Sequence, residues 1–264
     1  MSDFRFPSAS AGALYSLLLA AACSLALAGC DITGEYEKKF QNALQTSAQR
    51  AVFDQNLFAA ETEVTDAGGK GVGVKFRLPS LFDNESKALA AKESRAQVPF
   101  VTLPDLSYAR ERQLNDASEQ FLPVYAYFAA VPKTDQKADA VQAAIAQQVA
   151  ASFTGAAWAD APLATPDGKT LTLKRLRVNG PQEFVNLTKN TPVKTDGQFD
   201  LYFIDGPAHF VLIGWRAPKA QAEKWQFDDK TKAAMGTVTV TEAAAAAAPA
   251  GEAPAAGANK TGCF

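Results

Sequence analysis

Phe199-Asp200-Leu201-Tyr202-Phe203-Ile204, then Asp205-Gly206-Pro207-Ala208, then His209-Phe210-Val211-Leu212-Ile213-Gly214-Trp215 read as one β-hairpin. Gly206 and Pro207 supply the turn chemistry between the two arms. In both arms apolar residues fill alternate and intervening positions, so both faces of each strand are expected to be buried. A hairpin covered on two faces needs a layer above it and a layer below. The expected fold class is therefore α+β, an antiparallel sheet flanked by helices on both faces.

The flanking sequence supplies candidates for those layers. Upstream, Phe121–Val131 carries Val124, Tyr125, Tyr127 and Phe128, a β-rich run. Val141, Ile145, Val149 and Phe153 recur at helical spacing with Gln and Lys opposite, which predicts an amphipathic helix. Trp158 is placed in a loop. Pro166-Asp167-Gly168-Lys169 is a turn, followed by a strand at Leu171, Leu173 and Leu176 and a separate short piece from Phe184 to Leu187. Nearer the start, Asp66-Ala67-Gly68-Gly69-Lys70-Gly71 is a turn cluster, and Val72, Val74, Phe76 and Leu78 alternate with Gly73, Lys75 and Arg77 as a half-buried strand ended by Pro79. Residues 86–95 are expected to form a short helix. Pro99 and Pro104 make residues 98–106 extended and place them at an edge. Downstream, Pro218 opens a helix that runs with a break to Met235, and Thr237-Val238-Thr239-Val240 forms a last short strand.

The two ends differ in kind. Residues 13–28 are nearly all Ala and Leu and lead into Leu27-Ala28-Gly29-Cys30. The run has the length of a signal-peptide core and is short for a bilayer span, which needs about 20 apolar residues. From residue 242 the composition turns to Ala, Pro and Gly, with little to bury, and disorder is expected. The expected organisation is a signal segment at 1–29, a lipidated N-terminus with a helix at 30–56, an α/β/α domain at 57–241 and a tail at 242–264. In that N-terminal helix, Tyr36, Phe40, Leu44 and Ala48 share one face, which is expected to pack on the domain rather than sit in water.

The Leu27–Cys30 stretch resembles the lipobox of bacterial lipoproteins. That resemblance implies a diacylglyceryl thioether on the Cys30 thiol and cleavage between Gly29 and Cys30. Two or three acyl chains anchor stably where one does not, since each buried methylene contributes about 0.8 kcal/mol. The protein would then sit in the cell envelope, facing away from the cytoplasm, with the membrane itself and an envelope protein or peptidoglycan as partners.

The 264 residues are 47% hydrophobic and 20% charged, enough apolar content for a core, and the net charge of −2 gives no basic surplus for nucleic acid. Of the three cysteines, Cys23 leaves with the signal segment and Cys30 is consumed by lipid. Cys263 then has no partner in its own chain, and on a tail it is a candidate thiol for a link between copies of the chain.

The order of elements, and the run Leu212-Ile213-Gly214-Trp215-Arg216-Ala217-Pro218, resemble PsbP-like domains over roughly residues 57–240. The resemblance implies an antiparallel sheet between helices and a binding or assembly role, and it carries over no functional residue.

Constellations for chemistry are sparse. His209 is the single histidine, so no His-rich metal site or Ser-His-Asp triad can be composed around others, and its place at a strand start reads as structural. Gly69-Lys70-Gly71-Val72-Gly73 opens a strand rather than a helix, unlike a dinucleotide loop. Asp228 with Asp229 reads as a solvated helix surface. Trp158, Trp215 and Trp225 read as core. Asn84-Glu85-Ser86 and Asn186-Leu187-Thr188 match a glycosylation pattern that a bacterial lipoprotein rarely uses. No metal, no cofactor and no catalytic residue is assigned. The leading expectation is a lipid-anchored binding or scaffolding protein. The alternative is an envelope hydrolase working through carboxylates, with Glu61, Glu63 or Asp205 as candidates.

Overall fold

The computed structural model describes the backbone at residues 11–114, 121–134 and 136–241, and side chains from residue 34 onward within those ranges. The chain divides into two units, Met1–Val52 with Pro166–Gly168, and Phe53–Thr165 with Lys169–Phe264.

The first unit holds most of α1 (Ala11–Asn56). This helix is continuous through the expected cleavage point and is not confined to residues 30–56. Its Ala- and Leu-rich sequence has no proline to stop it, so Gly29 and Gly34 are carried within it. Tyr36 is 71% exposed and Phe40 52%, with Leu44 and Val52 similarly open. Amphipathic spacing names a shared face, and it does not name what covers that face.

In the second unit, β1 (Leu57–Thr65) and β2 (Gly71–Pro79) form a hairpin across the expected turn, where the Asp66 Oδ1 accepts from the amides of Gly68 and Lys70, both at 2.9 Å. Then come β3 (Lys87–Ala90), a 3-10 turn at Ser94–Ala96, β4 (Leu106–Gln113), β5 (Pro123–Pro132), α2 (Ala138–Ala150), β6 (Trp158–Ala164), β7 (Thr170–Asn186), β8 (Thr191–Asp205) and β9 (His209–Pro218). α3 (Lys219–Lys224), α4 (Phe227–Gly236) and β10 (Thr239–Val240) close the domain. Gln226, in the left-handed region at φ 51°, makes the break between α3 and α4, and Pro218 stands one position before α3. The large sheet has the order β3-β4-β5-β9-β8-β7-β6, and every pair in it is antiparallel. A second, three-stranded antiparallel sheet has the order β1-β2-β10. The fold is α+β.

Period-2 alternation sorts the large sheet into two cores. Val124, Ala126 and Phe128 of β5, Tyr202 and Ile204 of β8, and Ile213 and Trp215 of β9 face one side. There they meet Val74 and Phe76 of β2, Phe53 at the end of α1, and Phe227, Ala234 and Met235 of α4. Tyr125 and Tyr127, Phe199, Leu201 and Phe203, and Phe210 and Leu212 face the other side. They meet Val141, Ile145 and Val149 of α2 and the apolar residues of the 96–106 segment. The hairpin is therefore buried on both faces as read. One cover is α2 with the 96–106 segment, and the other is the small sheet with α4 and the end of α1.

Four local expectations are corrected. Residues 86–95 form β3 and a 3-10 turn in place of a helix. Lys-Ala-Leu-Ala has helix propensity, but Leu89 is fully buried when Ala88–Ala90 pair with β4, and tertiary burial outweighs propensity. Residues 98–106 give only a Val98–Val101 bridge, and β3 takes the sheet edge. Trp158 starts β6 rather than lying in a loop, and the two pieces expected at 171–176 and 184–187 are one strand, β7, paired along its length with β8.

Candidate ligand groove

The expected site residues come first. The backbone at Gly29 and Cys30 lies in α1, and their side chains fall outside the described residues. Cys263 and the tail at 242–264 also lie outside them. Glu61 and Glu63 sit on β1, opposite Arg77 and Lys75 in register, and the Glu63 Oε1 accepts from the Gly73 amide at 3.3 Å. Asp205 is at the β8–β9 turn and pairs with Lys133. Asp228 is not a freely solvated surface charge: it bonds Arg177 across on the sheet and Lys232 one turn further along its own helix. Trp215 is fully buried, edge-on to Phe76 and Phe128. Among the described residues no group of three His, Cys, Asp or Glu could hold a metal ion, and no helix is long and apolar enough to cross a membrane.

The structure assembles a different place. A groove of about 450 Å³ runs between β1, the end of β2, the loop after it and β4. Its far wall is Arg110 of β4, which pairs with Ala88 of β3 on one side and Ala126 of β5 on the other. Alanines on both sides leave the guanidinium room above the sheet. The near wall is β1, an edge strand of the small sheet. Between Leu57, opposite Pro79, and Glu61, opposite Arg77, its register shifts, so Phe58, Ala59 and Ala60 bulge toward the groove.

The floor and end are set by the loop that Pro79 starts. Phe82 is buried and its amide donates to the Pro79 carbonyl at 3.0 Å. Asp83 then turns the chain, its Oδ1 accepting from the Glu85 amide and its carbonyl from the Ser86 amide. This turn presents Asp83, Asn84 and Ser86 to the groove. The Ser86 hydroxyl donates to the Phe82 carbonyl at 3.3 Å and accepts from the Arg110 Nη1 at 3.2 Å.

Charge compensation separates the three arginines around this groove. Arg77 bonds the Phe58 carbonyl and Asp54, at 2.7 and 2.8 Å. Arg112 pairs with Asp83 at 3.0 Å and Glu85 at 2.5 Å. Arg110 meets the Ser86 hydroxyl and no carboxylate among the described residues, and its Nε is buried without a partner. The sequence reading missed this site. It placed no strand at 106–113, so it could not see that Tyr108, Arg110 and Arg112 share a face. The only signal on these residues was Asn84-Glu85-Ser86, read as a glycosylation pattern.

A second polar cluster lies on the other face and is closed. Arg216 is buried, its Nε donating to the Gln182 Oε1 at 3.0 Å and its Nη2 to the Glu183 carbonyl. Its guanidinium lies 4.2 Å from the Phe184 ring centre, with Phe100 and Tyr125 further out. Burial pushes Tyr125 and Tyr127 well above the usual phenol range. Burial also raises Glu111, against the lowering effect of Arg95 at 3.0 Å.

No family model matches the chain, and no curated protein matches it. The solution structure of cyanobacterial PsbP (CyanoP) from Synechocystis sp. PCC 6803 is a structural neighbour, at 11% identity and a TM-score of 0.31 over 70% of this chain and 94% of that one.

Proposed function

We propose that this chain is a lipid-anchored binding protein of a bacterial cell envelope. In this reading Cys30 carries the acyl chains, and the α+β domain is a PsbP-like sandwich that works by binding. Localisation rests on the apolar run ending in Leu27-Ala28-Gly29-Cys30. The binding role rests on one observation, the groove with its Arg110, which pairs with no carboxylate among the described residues. A cation beside an open groove recognises a ligand, and a hydrolase needs carboxylates converging on a scissile bond. Glu61, Glu63 and Asp205 do not line this groove, and the one carboxylate that does among the described residues, Asp83, is paired with Arg112. The partner would be another envelope protein or the peptide of the cell wall.

The test is membrane fractionation of the full-length protein and its Cys30→Ser variant. The wild type is expected in the membrane pellet after a high-salt wash, and the variant is expected to lose its acyl-dependent retention. Equal retention of both would overturn the lipid-anchored reading.

A further inference from the structure

We infer that the β1–β4 groove binds the carboxylate of an extended peptide, with Arg110 as its anchor. This deepens the binding reading above, and it stands whether or not Cys30 is acylated.

Three features point to that chemistry. The first is charge. Arg110 has no carboxylate of its own among the described residues, while Arg77 and Arg112 on the same rim have theirs. The only side-chain partner of the Arg110 guanidinium among the described residues is the Ser86 hydroxyl on Nη1, and a planar, two-oxygen carboxylate matches the fork of a guanidinium. The second is the sign and size of the anion. Asp83 and Glu85 both pair with Arg112, so the three arginines and the carboxylates of Asp54, Asp83 and Glu85 balance in number, and Arg110 is the arginine with no ion pair of its own. One unpaired cation beside two carboxylates suits a monoanion and disfavours a phosphate dianion. The third is shape. The facing wall is an edge strand, which carries outward backbone donors and acceptors, and its exposed groove residues Ala59 and Ala60 are small enough for another backbone to approach. Strand addition supplies main-chain hydrogen bonds, and the carboxylate fixes position and direction. Asn84 and Ser86 offer further polar contacts at the closed end of the groove.

The carboxylate could be a chain terminus or an acidic side chain, and the probes separate these. The full-length protein in detergent is titrated with three acetylated Ala/Val hexapeptides, followed by amide chemical shifts of β1 and β4. One has a free C-terminal carboxylate, one has a C-terminal amide and an internal Glu, and one has a C-terminal amide and no acid. Binding by either acidic peptide is expected, with shifts at Ala59, Ala60 and Arg110, and an affinity at least about tenfold above the neutral peptide. Arg110→Gln, which keeps the stem and the hydrogen-bonding head, is expected to remove that preference, with an unchanged spectrum elsewhere. Arg110→Lys keeps the charge without the fork and is expected to fall between the two. No binding of either acidic peptide at millimolar concentration overturns the inference. So does equal binding of the neutral peptide, or an acid preference that survives Arg110→Gln. If Arg110→Gln perturbs the fold, the wild-type comparison of acidic with neutral peptide still decides.

Discussion

Asp200 is 1% exposed and accepts both arms of the Arg177 fork, each at 2.6 Å. Arg177 also reaches Asp228 of α4, which bonds Lys232 one turn on at 2.6 Å. This chain of charges ties α4 to β7 and β8. At Asp228, burial by itself raises the carboxyl pKa, but the bonds from Lys232 and Arg177 outweigh it and hold the group below its usual value of 3.8. The sign follows from linkage. A carboxylate with a lowered folded pKa stabilises fully above its unfolded pKa, and the contribution is lost as pH falls through the folded one. Asp228→Asn should therefore cost about 1 kcal/mol at neutral pH, a few degrees in thermal midpoint. The difference from wild type should shrink below pH 3.8. Thermal melts from pH 7 to pH 2 check this, and a difference constant across that range would contradict it. At this scale little was legible. Asp228 with Asp229 gave only a charged helix face, and Arg216, quoted in the run 212–218 for its family resemblance, gave no sign of its aromatic enclosure. Such pairings join residues far apart in sequence, so local pattern does not contain them.

At the scale of elements, the hairpin β8–β9 was legible because its own sequence required burial on both faces. Ile213 is fully buried in the centre of the sheet. Ile213→Asp places an unpaired charge there and should unfold the domain, read as loss of the cooperative thermal transition. A midpoint within a few degrees of wild type would mean that the hairpin is not the core. β2, β5 and α2 were readable for the same reason, each carrying a clean period. β4 was not, because Arg110-Glu111-Arg112 reads as polar surface, whereas Glu111 is buried and held by Arg95. β3 was lost to the helix propensity of its alanines. The contact of α4 with β6 was also invisible and gives a sharp test at Gly236. A Cβ there would stand 2.1 Å from the Ala164 carbonyl oxygen, a backbone atom that cannot swing aside. Helix propensity alone favours alanine by about 1 kcal/mol. Steric overlap should win, so Gly236→Ala is expected to destabilise by about 3 kcal/mol, at the upper end for overpacking. A raised midpoint in chemical denaturation would contradict the close approach of α4 to β6.

At the scale of the whole molecule, the sequence spoke about address and the structure about the groove. A lipobox-like stretch is a local signal of four residues after an apolar run, so it can be read without a fold. The groove draws on β1, β2, β4 and the loop between β2 and β3, and no segment alone carries it. The two proposals meet in one account: a domain whose groove holds an arginine with no ion pair of its own, and which Cys30 would hold at a membrane. The anchor is the claim on which the rest of that account's biology depends. Intact mass spectrometry of the protein extracted from bacterial membranes tests it most directly. The account predicts a chain beginning at Cys30 and carrying two or three acyl chains, and a Cys30→Ser chain that stays unprocessed. A wild-type chain that keeps Met1, or one cut elsewhere and free of acyl mass, would contradict it.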